Sequence, residues 1–155
     1  MPYSFALEHF ADTYPEMEPI YRRHYGEMQA RLKADGVEIP PFAPRVDQYR
    51  KANEAGYMLL YIVRDETGKA VGHSSLYLTN DMHNGEFMAQ EDTIYILPEH
   101  RNGVGKRLVR FILDDLKRLG VKRVIITPVT DLRVGKIWQR MGFKPVAQVM
   151  TYTFP

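Results

Sequence analysis

The 155-residue chain contains no cysteine, and that absence removes a disulfide scaffold, a thiolate zinc site and a cysteine nucleophile together. A reducing compartment suits such a chain, and the cytoplasm is the expected location. Long apolar runs are also missing. No stretch approaches the roughly 20 residues that span a bilayer, and Glu8, Asp12 and Glu16 stand where a secretory signal needs a basic start and an apolar run. A soluble protein with no membrane partner is expected. An excess of one charge is lacking too: 21 Lys and Arg against 19 Asp and Glu leave a net +2. That is too little for the basic face that holds nucleic acid, so no such partner is expected and any anion site must be local. The five histidines include no H-x-x-x-H pair, and no metal site is expected.

What is present has the size of one ordinary domain, read as residues 1–155, able to bury a core without staples. Tyr3 to His9 alternates as a first strand. Met17, Ile20, Tyr21, His24, Met28 and Leu32 recur at helical spacing, which predicts a helix from about Pro15 to Lys33. Ile39 to Pro44 carries three prolines and reads as a loop, followed by a short helix over Val46 to Glu54. Tyr57 to Val63 is apolar on both alternating faces, and a turn at Asp65 to Lys69 joins it to Ala70 to Leu78 as a hairpin. A third long strand ends at Leu97, before Pro98. Leu108, Ile112, Leu116 and Leu119 then make one helical stripe that Gly120 stops. Val124 to Thr127 reads as a short buried strand. Thr130 or Asp131 can cap a helix carrying Ile137, Trp138 and Met141, and Val146 to Phe154 alternates as a final strand. The fold class is α/β.

Chemistry concentrates where the third strand runs through Pro98-Glu99-His100-Arg101-Asn102-Gly103-Val104-Gly105-Lys106-Arg107 into a helix. A helix start presents unpaired N–H groups and a positive dipole end, and glycines let a phosphate approach the backbone. Lys106 and Arg107 in the first turn oppose the helix dipole unless an anion offsets them. The spacing excludes a P-loop, since Arg107 rather than Ser or Thr follows the lysine. It also excludes the dinucleotide fingerprint, whose third glycine would stand at Leu108. Gly72-His73-Ser74-Ser75 lacks the nucleophile elbow, and both serines read as strand residues.

Pro98-Glu99-His100-Arg101 followed by Gly103-Val104-Gly105 resembles the central signature of the GNAT superfamily of N-acetyltransferases, with a turn one residue shorter than the usual form. Ile137-Trp138-Gln139-Arg140-Met141-Gly142-Phe143 is similar to that family's L-Y-E-x-x-G-F helix ending. The resemblance implies a mixed, mainly antiparallel central sheet flanked by helices on both faces, and acetyl-CoA (coenzyme A) as co-substrate. It further implies that Ile96 and Leu97 meet the pantetheine arm through backbone atoms, and that Asn102, Gly103, Val104, Gly105 and Lys106 hold the pyrophosphate on backbone N–H groups. Arg101, Lys106 and Arg107 would supply charge. Asp92, six residues before Pro98, takes the place of a catalytic carboxylate; Glu91 beside it is the alternative on the opposite face, and His83 the reserve base. Trp138 stands where many members carry a tyrosine acid, and an indole N–H cannot protonate a thiolate. Phe42, in its proline-bounded loop, is the aromatic expected to line an acceptor pocket.

The implied activity is transfer of an acyl group to a primary amine of a small molecule or exposed peptide. A catalytically impaired acyl-CoA-binding or interaction module on the same fold is the alternative, and a homodimer is left open.

Overall fold

The computed structural model describes residues 2–128 and 133–155. Its strands β1 (Ser4–Leu7), β2 (Met58–Arg64), β3 (Ala70–Asn80), β4 (Phe87–Ile96) and β5 (Arg123–Ile125) form one sheet in sequence order. β1 to β4 pair antiparallel, and β5 joins β4 in parallel after a helical crossover. Helices α1 (Phe10–Ala34) and α2 (Val46–Glu54) cover one face and α3 (Val104–Arg118) the other, while α4 (Val134–Arg140) lies near the C-terminal end.

The apolar run in β2 explains the two-sided cover. Successive side chains point to opposite faces: Met58, Leu60 and Ile62 enter the core under α1, whereas Tyr61 and Val63 enter the core under α3. The α3 stripe of Val104, Leu108, Ile112 and Leu116 is no more than 4% exposed at any position. Each such side chain contributes about 1.5–3 kcal/mol by leaving water.

α1 begins five residues before the proline expected to start it, and Pro15 and Pro19 lie inside it. Tertiary contacts outweigh the two missing donors. The Phe10 N–H, an orphan of the helix start, donates to Asn53 Oδ1 at 2.9 Å, and Asn53 Nδ2 donates to the Met58 carbonyl at 2.9 Å. Phe10, Thr13, Met17 and Ile20 are the buried positions of that helix.

The expected final strand does not form. Val146 to Phe154 pairs with no other strand among the described residues, and Val146, Met150 and Phe154 are each more than 80% exposed. Alternation marks a segment that suits a half-buried strand, but a strand also needs an aligned edge. β5 is only three residues long. The expected cap of α4, Thr130 or Asp131, lies outside the described residues.

Candidate active site

β5 pairs with β4 only through Met88, Ala89 and Gln90, so β4 continues from Glu91 to Ile96 with no strand on that side among the described residues. The Leu97 N–H donates inward to the Val71 carbonyl at 2.9 Å. Antiparallel alternation therefore turns the backbone groups of Ile96 and Ile94 to the open edge. Leu97 does not share that direction: its N–H is spent on β3, and its carbonyl accepts the His100 N–H at 2.8 Å. Ile94, two residues before Ile96, faces the same edge.

Below the open edge the chain turns into α3. Gly103, the N-cap, has φ 78°, a left-handed conformation that favours glycine, and no side chain caps the helix. The N–H groups of Val104, Gly105 and Lys106, in the first turn, have no intrahelical acceptor. A Cβ at Gly105 would lie 3.8 Å from Ile96 Cγ1, in ordinary contact, so packing alone does not demand glycine there. Asn102, Gly103 and Lys106 are exposed. These features fit a pyrophosphate.

The arginines depart from expectation. Arg101 folds back on the protein: Nε donates to the Ile96 carbonyl at 2.8 Å, Nη2 pairs with Glu27 at 3.0 Å, and the guanidinium lies 5.2 Å from the centre of the Tyr95 ring. Tyr95 also donates its hydroxyl to Glu27. Glu27 thus clamps α1 onto β4 and the turn. Arg107 lies over Phe5 at 5.2 Å, with Nη1 buried and unpartnered among the described residues. Of the three cations, Lys106 alone keeps an exposed side of the turn without such an anchor.

A bulge sits at the centre of the site. Ser75 pairs with Thr93 and Leu76 with Glu91, leaving Asp92 as the extra residue in β4. Asp92 Oδ2 accepts the Tyr49 hydroxyl at 2.8 Å and the Ser75 hydroxyl at 3.1 Å. Burial and the adjacent Asp92 charge hold the Tyr49 hydroxyl far above its usual pKa, so it stays a donor. Glu91 turns instead to the gap between β4 and β5, where Oε2 accepts the Thr127 N–H at 3.0 Å. The two carboxylates take separate directions, as expected. His83 does not join them. It lies exposed in the β3–β4 turn, its N–H held by Asp81 Oδ1 at 2.7 Å, beyond the strand end at Phe87. Five residues of strand, about 17 Å, separate Phe87 from Asp92.

Burial pushes the Glu91 carboxyl up to about 7 from its ordinary 4.5; the Thr127 N–H opposes the shift and the Asp92 charge adds to it. Between those two pH values the folded protein keeps a proton that the unfolded chain has released. The stability contributed by this carboxyl is therefore full below about pH 4.5, falls as pH rises, and is lost above about pH 7. Glu91→Gln removes the buried charge and retains an acceptor for Thr127. The variant should match the parent in acid and exceed it at pH 8 by on the order of 3 kcal/mol, read by urea unfolding. A difference that does not change with pH would contradict the buried-charge assignment.

Asp92 opens onto a cavity of about 510 Å³ between α1, the loop at Pro40 to Pro44, α2 and the sheet. Phe42 lines it, as the sequence suggested. His73, fully buried in β3, and His24 are both held neutral by burial, His24 with its pKa lowered to about 4.

A family model described as the acetyltransferase (GNAT) family matches residues 8–143. The chain belongs to that family. Solved structures of GNAT acetyltransferases share its fold over nearly the whole length. A ribosomal-protein-alanine N-acetyltransferase from Brucella melitensis biovar Abortus 2308 is 18% identical, with TM-score 0.68 over 98% of this chain and 99% of that one. A glucosamine-6-phosphate N-acetyltransferase from Arabidopsis thaliana is 15% identical, with TM-score 0.68 over 100% of both chains. The tetramutant of a Bacillus halodurans protein is 15% identical, with TM-score 0.76 over 97% of this chain and 99% of that one. No curated protein matches the chain in sequence. The named acceptors of the first two differ, so the shared GNAT fold leaves the acceptor to the pocket. Trp138 is 5% exposed, and its Nε1 has no partner among the described residues.

Proposed function

We propose that the protein is an acyl-CoA-dependent N-acyltransferase that uses acetyl-CoA and a primary amine. The observation that carries this reading is the placement of Asp92: it lies at the bulge where β4 leaves β5, facing an open cavity, on the strand that runs into the uncapped start of α3. The N–H groups of Val104, Gly105 and Lys106, with the Lys106 charge, would hold the pyrophosphate, and the outward backbone of Ile94 with the N–H of Ile96, whose carbonyl accepts Arg101 Nε, the pantetheine arm. Acetyl-CoA, when bound, supplies an acyl group activated as a thioester, whose leaving group is a thiolate.

Asp92 attracts the ammonium form of the acceptor and takes its proton, because only the neutral amine has a lone pair for attack. Tyr49 and Ser75 fix the carboxylate by donating to Oδ2. Glu91 holds the Thr127 backbone across the gap and so keeps the two strand ends in place. Trp138 can donate a hydrogen bond but not a proton; with a leaving group as acidic as a thiol, this reading needs no stronger acid there.

Coenzyme A should raise the melting temperature. At a concentration 100 times its Kd the added stability is about 2.7 kcal/mol. No shift at millimolar coenzyme A or acetyl-CoA would remove the assignment.

A further inference from the structure

The cavity beside Asp92 is walled mainly by aromatic and apolar side chains. Six aromatic rings line it, those of Phe10, Tyr14, Tyr21, Tyr25, Phe42 and Tyr49, together with prolines of the 40–44 loop. The rings form a connected set: Phe10 stacks on Tyr49 at 5.5 Å and on Tyr21 at 6.4 Å, and Tyr21 meets His73 edge-on at 4.7 Å. Charge is sparse. Among the described lining residues Asp92 is the only carboxylate and Arg45 the only side chain cationic at neutral pH, because both histidines stay neutral. Some polar groups are spent, the Tyr49 hydroxyl on Asp92 and the Tyr25 hydroxyl on the Pro40 carbonyl, whereas the buried Tyr21 hydroxyl and His73 Nε2 have no partner among the described residues.

Resting on the acyltransferase reading above, we propose that the acceptor is an arylalkylamine, a primary amine joined by a short alkyl arm to an aromatic, uncharged body. One carboxylate matches one ammonium. A polyamine would bring further cations with no carboxylate to meet them, and a sugar or peptide would bring more hydroxyls or amides than the two unpartnered wall atoms, Tyr21 Oη and His73 Nε2, can pair. Each unpaired buried polar group weakens binding by about tenfold or more. The length of the site agrees. Ser75, which holds Asp92, and His73 lie on the same face of β3, about 7 Å apart. An amine at Asp92 therefore directs its ring among Tyr21, His24 and His73, where edge and face contacts between rings are favourable.

The test compares 2-phenylethylamine with butylamine, spermidine, glucosamine and an alanine-terminated peptide, using the whole protein saturated with acetyl-CoA. 2-Phenylethylamine should exceed glucosamine, spermidine and the peptide in kcat/KM by about 100-fold, the effect of two unpaired polar groups. Calorimetric titration into the coenzyme A complex should show the same order without turnover. Phe42→Ala should raise KM for 2-phenylethylamine several-fold more than for butylamine and leave that for acetyl-CoA unchanged. Faster transfer to the sugar, polyamine or peptide, or an equal KM change for both monoamines, overturns the aromatic-acceptor assignment and leaves the acyltransferase reading standing. Absence of transfer to every amine, with no melting shift by coenzyme A, overturns that reading and this one with it.

Discussion

Asp92→Asn lowers kcat by about 10²–10⁴-fold, the usual contribution of a general base, and leaves acetyl-CoA affinity nearly unchanged. The amide keeps the shape of the carboxylate and an oxygen for Tyr49 and Ser75, so the bulge and the cavity persist. It cannot take the proton from the incoming ammonium. A free alkyl amine has a pKa of about 10.4 and is almost fully protonated at neutral pH. As pH rises the acceptor deprotonates unaided, and the deficit of the variant should shrink. Steady-state rates from neutral to alkaline pH measure this directly. A parent-to-variant ratio that stays constant to alkaline pH, or a loss well below tenfold, would assign Asp92 a structural role.

Gly105→Val should separate binding from folding at the other end of the site. The added Cβ meets Ile96 at an ordinary 3.8 Å, and Gly105 lies within α3 at a negative φ, so the fold gains or loses little. The side chain instead occupies the approach to the first-turn N–H groups. Losing one or two hydrogen bonds to a charged phosphate lowers affinity by about 10- to 100-fold or more. Calorimetric titration with coenzyme A gives the affinity and urea unfolding the stability. Equal binding by a folded Gly105→Val protein would contradict the anion site.

The parts that could be read from the sequence were those fixed by local spacing. The alternating run of β2, the α3 stripe, Gly120 and the Gly103–Gly105 turn each carry their structural reason within a few residues. Asp92 was placed by its distance from Pro98, but its partners Tyr49 and Ser75 lie 43 and 17 residues away and left no local signal. The bulge at Asp92 arises from the β3–β4 register, which alternation alone does not record. Arg101 was assigned by its charge, whereas Glu27, 74 residues away, decides its direction. The early start of α1 depends on Asn53 in the same way. The Val146–Phe154 error runs in the opposite direction: a strand pattern is local, and the edge it needs is not.

The most direct measurement incubates the protein with acetyl-CoA and a mixture of primary amines, follows free thiol, and weighs the amines by mass spectrometry. The expected result is thiol released only when amine is present, in equal amount to an amine that has gained one acetyl group, with Asp92→Asn showing neither at neutral pH on the same timescale. Thiol release that ignores the amine, or tight coenzyme A binding with no acetylated amine at all, would contradict the assignment of an N-acyltransferase.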